Sequence, residues 1–197
     1  MRTRDEQKEQ TIRRQAVEMV VREGFDGLSM HKLGKAAGIS PATIYIYFKD
    51  RDDLILQLCR ELSAKMAEAT LKDFDPDMHF DEGLKRQWLN RARYCMENPA
   101  EMHFLEQIRF SPFHEKCQAI MDTSFREAMR RFVRNAIERN ELVNLPVEVY
   151  WSVAFAPLYQ LVKFHMSGKG VSGNTPFELN EEMMEQTLRL VLRALKP

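Results

Sequence analysis

The stretch SMHKLGKAAGISPATIYIYFKDRDDL, residues 29–54, contains two short helical segments separated by a tight turn. Ser29 can cap the first stretch, MHKLGKAA, and Gly38 can end it, since glycine adopts the left-handed conformation of a helix C-terminus at little cost. Ser40 can cap the second stretch, with Pro41 at the first helical position, where a missing N–H costs nothing. This arrangement predicts a helix-turn-helix.

The second short helix, roughly residues 41–48, is predicted to have a buried and an outward face. Ile44 and Phe48 can pack behind it, which leaves a set facing variously outward: Pro41, Ala42, Thr43, Tyr45, Ile46 and Tyr47. Small and hydroxyl-bearing side chains let a helix N-terminus approach a DNA major groove closely and donate to phosphates or base edges. Lys49 and Arg51 would then lie along the adjacent backbone and displace counterions.

Apolar residues recur at helical spacing along the rest of the chain, and no convincing alternating strand pattern occurs. The first helix is predicted from Asp5 to Glu23, where Gly24 stops it, and a long helix from about Asp50 to Leu71. The remaining predicted helices are Met78–Glu97, Ala100–Arg109, Phe113–Asn140, Val147–Met166 and Leu179–Leu195, with a kink at Pro157. The chain is therefore predicted to be all-α.

Overall charge identifies no polyanionic partner, because the 197 residues include 29 Lys and Arg and 29 Asp and Glu. The distribution is uneven, since residues 1–51 carry ten basic side chains against seven acidic ones. This asymmetry would suit a local phosphate-binding face on a neutral protein, although alone it is a weak signal.

Three widely spaced cysteines argue against a disulfide framework and favour a reducing compartment. The N-terminus lacks the apolar run of a signal peptide, and no stretch of about 18 uncharged apolar residues is present to span a bilayer. We therefore expect a cytoplasmic protein with no membrane partner.

The segment AAGISPATIYIYFKDRDDL resembles the recognition segment of TetR-family regulators, in which a glycine turn precedes Ser-x-x-Thr-Leu-Tyr-x-x-Phe and a Lys/Arg-acidic start to the next helix. Together with Gly24-Phe25 and Ser29-Met30, the resemblance covers about residues 10–58. The chain departs from the usual family pattern at Leu33-Gly34, at Arg51 and at Ile46, where a polar or aromatic residue is frequent. Fewer hydrogen bonds to bases are expected from Ile46.

The resemblance implies an N-terminal three-helix helix-turn-helix domain, residues 1–52, and a helical ligand-binding and dimerisation domain, residues 53–197. It also implies a homodimer that binds a palindromic operator on double-stranded DNA, more commonly as a repressor, and is released by a small apolar or amphipathic effector. In the family mechanism, the ligand shifts the long helix that begins near Arg51 and so changes the spacing of the two heads.

The residues assigned to DNA binding are Ser29, His31, Lys32, Ser40, Pro41, Ala42, Thr43, Tyr45, Ile46, Tyr47, Lys49 and Arg51. For Tyr45 and Tyr47 the alternative is that one or both only pack the small domain, and for Lys49 and Arg51 that they are ordinary solvated charges. His31 opens the helix before the turn, which makes it a better candidate for phosphate contact than for catalysis.

Large, adaptable side chains in the middle of the chain suit an irregular apolar cavity, which the resemblance places within the helical bundle. The residues assigned to ligand binding are Met66, Trp88, Tyr94, His103, Phe104, Phe110, Met121, Phe125, Trp151, Phe155 and Tyr159. Most residues of this type must simply be core. The apolar faces of the last two helices include Val149, Val153, Leu158, Leu161, Val162, Leu188, Val191, Leu192 and Leu195. Some of these residues must close the protomer's own core, and the resemblance implies that the rest form a four-helix interface with a second subunit.

The residues leave two other classes of function open. A helical enzyme would use the aromatic pocket with His103, Cys95 or Glu106 as catalytic groups, but no nucleophile-base arrangement or phosphate loop is present. A helical adaptor would bind protein through its head instead of DNA. His114-x-x-Cys117 lacks the third and fourth ligands of a zinc site. We therefore expect no catalytic residues, no metal and no cofactor.

Overall fold

The computed structural model describes residues 5–120 and 123–197, and these residues form eleven helices. The helices are α1 Glu6–Gly27, α2 Met30–Ala37, α3 Pro41–Ile44, α4 Arg51–Leu71, α5 Phe80–Glu97, α6 Pro99–Arg109, α7 His114–Ile120, α8 Ser124–Glu138, α9 Val147–Ala154, α10 Ala156–Ser167 and α11 Glu181–Leu195. The only extended pairing in this part of the chain is an isolated antiparallel bridge between Lys169 and Pro176. The all-α prediction is confirmed.

The helix ends near the N-terminus follow the predicted caps. The Ser29 side chain accepts from the N–H of Lys32, 3.2 Å away, at the start of α2, and Gly38 ends that helix with φ +67°. Gly24, with φ +72°, breaks the helical conformation inside α1, as predicted for the end of the first helix. The helix-turn-helix therefore forms where its capping residues and glycines predict it.

The recognition segment was predicted to be helical to Phe48, and this was wrong in length. The α-helix ends at Ile44, and tighter three-residue hydrogen bonds follow, from the N–H of Ile46 to the carbonyl of Thr43 at 3.1 Å and from the N–H of Tyr47 to that of Ile44 at 2.9 Å. Such a turn places residues three apart on the same side of the backbone.

Two of the predicted long helices are divided. The predicted helix Phe113–Asn140 is wrong, because α7 and α8 are separate: α7 buries Cys117 in one compact unit of the chain, whereas α8 buries Phe132 in another. The kink predicted at Pro157 is confirmed as the break at Phe155 between α9 and α10. There the Trp88 indole N–H donates to the Ala154 carbonyl at 2.8 Å.

The described residues divide into two compact units. The first lies within Met1–Lys65 and Asn98–Met121, where α1 packs on both α2 and α6 around a core that includes Ile12, Val20, Leu33, Ile44, Phe48 and Phe104. The second lies within Met66–Glu97 and Asp122–Pro197, where α10 packs on α5, α9 and α11. The functional boundary between residues 52 and 53 stays a prediction. Over residues 5–120 and 123–197, no helix has both the length and the apolarity needed to cross a bilayer.

Candidate nucleic-acid interface

The turn between α2 and α3 depends on a close approach at Gly34. A Cβ atom there would lie 2.7 Å from the Ile39 carbonyl oxygen and 3.3 Å from the Pro41 ring, so a side chain would force the backbone apart. The N–H of Ile39 donates to the Gly34 carbonyl at 2.9 Å. The Leu33-Gly34 pair, a departure from the family pattern, thus brings α3 tightly against α2.

The outer face of the recognition segment is solvent-exposed. Ala42 is exposed, Tyr45 is 54% exposed and Ile46 is 39% exposed, while Pro41 and Thr43 are half-buried. At the N-terminus of α3 the exposed Ser40 side chain accepts from the N–H of Thr43 at 3.2 Å, and the two hydroxyl oxygens lie 2.8 Å apart. This face is therefore free to meet another molecule.

Tyr47 differs from the expectation that it faces outward. Its side chain is only 6% exposed, because the tight turn after α3 places it three residues beyond buried Ile44 on the same side of the backbone. The N–H of Asp5 donates to its phenolic oxygen at 2.9 Å, and the phenol donates to the Asp5 carbonyl at 3.2 Å. The alternative that Tyr47 packs the small domain is the one that this geometry favours.

The two cations after the recognition segment differ in their environment. Lys49 is exposed, and its backbone N–H donates to the Asp53 carboxylate at 2.9 Å. Arg51 is half-buried, pairs with Asp52 at 3.3 Å and reaches the Phe25 carbonyl at 3.4 Å. Lys49 is thus the cation more available for a phosphate, whereas Arg51 links the start of α4 to the end of α1.

Three further residues assigned to DNA binding, at the start of α2, precede the recognition segment in the sequence. His31 and Lys32 are exposed, and Ser29 is half-buried as the N-cap. The Lys32 ammonium lies 3.4 Å from the Glu23 carboxylate, and hydrogen bonds from Arg22 first and Lys32 second lower the pKa of Glu23. Lys32 would therefore have to give up its contact with Glu23 in order to bind a phosphate.

The residues assigned to ligand binding do not form one cluster. In the first unit, Phe104 is buried in the core with its ring 6.0 Å from that of Phe25. Phe110 is 85% exposed and, with His103, borders an open depression of about 580 Å³. Met121 lies outside the described residues. Phe104 therefore has the environment of a core residue, and Phe110 and His103 have that of surface residues.

In the second unit, four of the assigned residues surround one cation. The Arg91 guanidinium lies 4.5 Å from the ring centre of Phe155, and it also faces the rings of Trp151, at 5.1 Å, and Phe125, at 5.4 Å. Its Nη1 donates to the Tyr159 hydroxyl at 2.8 Å. We call Arg91 with these four aromatic residues the Arg91 cage. The other assigned residues of this unit do not belong to the Arg91 cage: Trp88 and Tyr94 are buried, and Met66 is half-buried.

Arg91 itself was missed in the sequence. A usable signal was present, because Leu84, Trp88, Arg91 and Cys95 follow one another at helical spacing and all four are buried. An arginine in an apolar stripe is unusual, since charged side chains are almost never fully buried unless paired. Burial raises the pKa of the neighbouring Cys95 thiol to about 11, although the Arg91 charge acts in the opposite direction.

The residues considered for catalysis or metal binding are not assembled into a site. Cys95 and Cys117 are buried free thiols, and Cys117 interacts with Cys59. His103 is exposed, and Glu106 is half-buried. Among the described residues, no group of three or more His, Cys, Asp and Glu side chains could hold a metal ion.

Comparisons with known proteins agree with the helix-turn-helix geometry. The sequence model described as "Bacterial regulatory proteins, tetR family" matches residues 12–58. An uncharacterized HTH-type transcriptional regulator of Haemophilus influenzae is 27% identical over 179 residues, 90% of each chain. The HTH-type transcriptional repressor AcnR of Corynebacterium efficiens is 30% identical over 138 residues, 64% of each chain.

Solved structures extend the likeness over the whole chain. A TetR-family transcription regulator from Marinobacter aquaeolei superposes with a TM-score of 0.76 at 27% sequence identity, covering 100% of this chain and 99% of the other. The likeness thus includes the C-terminal helices as well as the recognition segment. Residues 12–58 thus match the tetR family model, and over its whole length the chain is similar to TetR-family transcriptional regulators, which are not enzymes.

Proposed function

We propose that this protein is a cytoplasmic repressor that binds a palindromic operator as a homodimer and leaves it when a small amphipathic effector binds. In this proposal residues 1–52 bind DNA, and residues 53–197 bind the effector and dimerise. Repression is supported by the name of the AcnR relative, a transcriptional repressor. The effector must bind the DNA-incompetent state more tightly, because a ligand shifts an equilibrium only by its differential affinity.

The exposed face of the recognition segment, residues 41–48, is the observation that carries the proposal. Ala42, Tyr45 and Ile46 face solvent, whereas Ile44 and Phe48 fix the opposite side in the core. A recognition helix needs this division, because its outer residues must reach base edges while its inner residues hold it rigidly. Lys49 follows immediately and provides a positive charge for the DNA backbone.

The C-terminal helices support a two-fold interface. Leu158, Val162, Leu188, Val191 and Leu195 are buried within the protomer, as the sequence predicts for part of the apolar faces. Apolar side chains remain exposed on α9 and α11, namely Val147, Val149, Met183 and Leu190, of which Leu190 is 59% exposed. A second copy that covers these side chains would bury them in a self-complementary contact.

The experiment is selection of binding sites from random DNA duplexes by the purified protein. We expect enrichment of a palindrome whose half-sites are about one helical turn apart or somewhat more. If no sequence is enriched, the proposed function is wrong, and the adaptor alternative gains support.

A pair of charge-introducing variants separates DNA contact from folding. Ala42→Glu places a carboxylate in the first turn of α3, where the helix dipole favours it, but where it would face the phosphates. Ala64→Glu introduces the same charge on an exposed position of α4. We expect Ala42→Glu to lose at least about ten-fold in operator affinity with an unchanged melting temperature, and Ala64→Glu to bind as the wild type does. Equal affinities for the two variants would contradict the assignment of α3.

A further inference from the structure

Arg91 is a buried cation without a counter-charge. It is 2% exposed, and no carboxylate of the described chain forms an ion pair with it. Its hydrogen bonds go to two neutral acceptors, the Tyr159 hydroxyl at 2.8 Å and the Gln87 amide oxygen at 3.3 Å. Because a guanidinium stays charged in proteins, its burial carries a desolvation cost that these neutral groups offset only in part.

Part of the hydrogen-bonding capacity in this region is unused. The buried Nε of Arg91 has no partner, and neither does the buried hydroxyl of Tyr150. The Tyr150 ring lies 6.2 Å from that of Phe155, and the Arg91 charge acts on the Tyr150 phenol, so the two groups belong to one neighbourhood. Buried polar atoms are normally satisfied, and two unsatisfied potential donors indicate that an acceptor is missing here.

The aromatic walls define what kind of acceptor fits. The rings of Phe155, Trp151 and Phe125 lie within 5.4 Å of the guanidinium and stabilise it through their π-electrons. They bring no negative charge, and their surfaces are suited to an apolar body. Phe125 and Trp151 are half-buried, whereas Phe155 is buried.

We propose that Arg91 binds the carboxylate of a monoanionic amphipathic effector, whose apolar body packs on Trp151, Phe125 and Phe155. The guanidinium fork matches a carboxylate in two parallel hydrogen bonds, and one negative charge balances one buried positive charge. This inference rests on the proposed function in one respect, because it names the chemical class of the effector.

The test compares matched carboxylates and alcohols on the full-length protein without DNA. The probes are decanoate with decanol and phenylbutyrate with phenylbutanol, and the readouts are the melting temperature and tryptophan fluorescence. We expect at least one carboxylate to bind about ten-fold or more tightly than its alcohol, as charge-assisted hydrogen bonds allow. The proposal is overturned if neither carboxylate binds or if each alcohol binds as tightly as its carboxylate.

Variants locate the effect at Arg91. Arg91→Met keeps an unbranched chain without the charge, and Arg93→Met makes the same change at an exposed position of the same helix. We expect Arg91→Met to remain folded, because removal of an unpaired buried charge relieves desolvation, and to lose the preference for carboxylates. Arg93→Met should keep that preference. A preference retained in folded Arg91→Met contradicts the proposal.

A second variant tests the same point if Arg91→Met does not fold. Gln87→Glu is nearly isosteric and places a carboxylate where the amide oxygen already accepts from Arg91. This internal counter-charge should compete with the ligand and lower carboxylate affinity about ten-fold, with little change for the alcohol. Unchanged carboxylate affinity in Gln87→Glu would also contradict the proposal.

The two proposals fail in different ways. Carboxylate binding that depends on Arg91, in a protein that selects no DNA site, refutes the operator proposal alone. Selection of a palindrome by a protein that shows no carboxylate preference refutes the Arg91 proposal alone.

Discussion

The hydroxyl of Tyr47 is held by the backbone of Asp5, accepting its N–H at 2.9 Å and donating to its carbonyl at 3.2 Å. This contact joins the end of the recognition segment to the start of α1, 42 residues earlier in the chain. Tyr45, two residues before it, has no such role in the core and is exposed. The two tyrosines of the recognition segment therefore differ in role: Tyr47 packs within the fold, whereas Tyr45 is exposed to other molecules.

Removal of one hydroxyl at a time, in Tyr47→Phe and in Tyr45→Phe, distinguishes a role in stability from a role in DNA binding. Tyr47→Phe loses both contacts with Asp5, so we expect a loss of about 1 kcal/mol in the free energy of unfolding, measured by urea denaturation. Tyr45→Phe should change stability by less than about 0.5 kcal/mol but lower operator affinity several-fold. A stability loss in Tyr45→Phe and none in Tyr47→Phe would reverse the assignment.

Gly83 is predicted to allow the close packing of α5 on α8, because a larger residue would meet the Phe132 ring. A Cβ atom there would lie 2.3 Å from the ring of Phe132, which Phe74 and Phe80 hold from other sides at ring-centre distances of 5.2 and 5.7 Å. Gly83→Ala should therefore destabilise the protein by about 1–3 kcal/mol through overpacking. Gly170→Ala is the control, because its Cβ would make only ordinary contacts, and its melting temperature should stay close to that of the wild type.

Lys49 is predicted to contribute to the salt dependence of operator binding. If each protomer neutralises one phosphate with Lys49, Lys49→Gln removes two contacts from the dimer. The slope of log affinity against log salt should then fall in magnitude by about 1.8. Lys116→Gln, at an exposed position on α7, should leave the slope unchanged. An unaltered slope in Lys49→Gln would assign Lys49 to the solvated surface.

The N-terminal part could be predicted from the sequence because its signals are local. The Ser29 and Ser40 side chains accept N–H groups three residues further on, and Gly38 and Pro41 act through their backbone conformation. The starts of α2 and α3 and the end of α2 lie where these residues require them. The orientation of Tyr47 could not be predicted in this way, because it depends on where α3 ends and on a contact with Asp5 far away in the chain.

The C-terminal part depends on tertiary packing, which a single sequence does not show. The division of the predicted helix Phe113–Asn140 follows from α7 and α8 belonging to different compact units. The sequence predicts an apolar ligand beside Phe125, Trp151, Phe155 and Tyr159. In the structure all four residues contact a cation, Arg91. The sequence indicated the aromatic residues and placed Arg91 in an apolar stripe, but the contacts between them depend on how the helices pack.

Helical phasing of the operator tests most directly the claim that two copies of α3 read successive major grooves. The measurement compares affinity for the selected palindrome with affinity for the same palindrome lengthened at its centre by about half a helical turn, roughly five base pairs. We expect a loss of at least about ten-fold in affinity, because the insertion moves one half-site to the opposite face of the duplex. Equal affinity for the two duplexes would contradict a rigid dimer with two recognition helices.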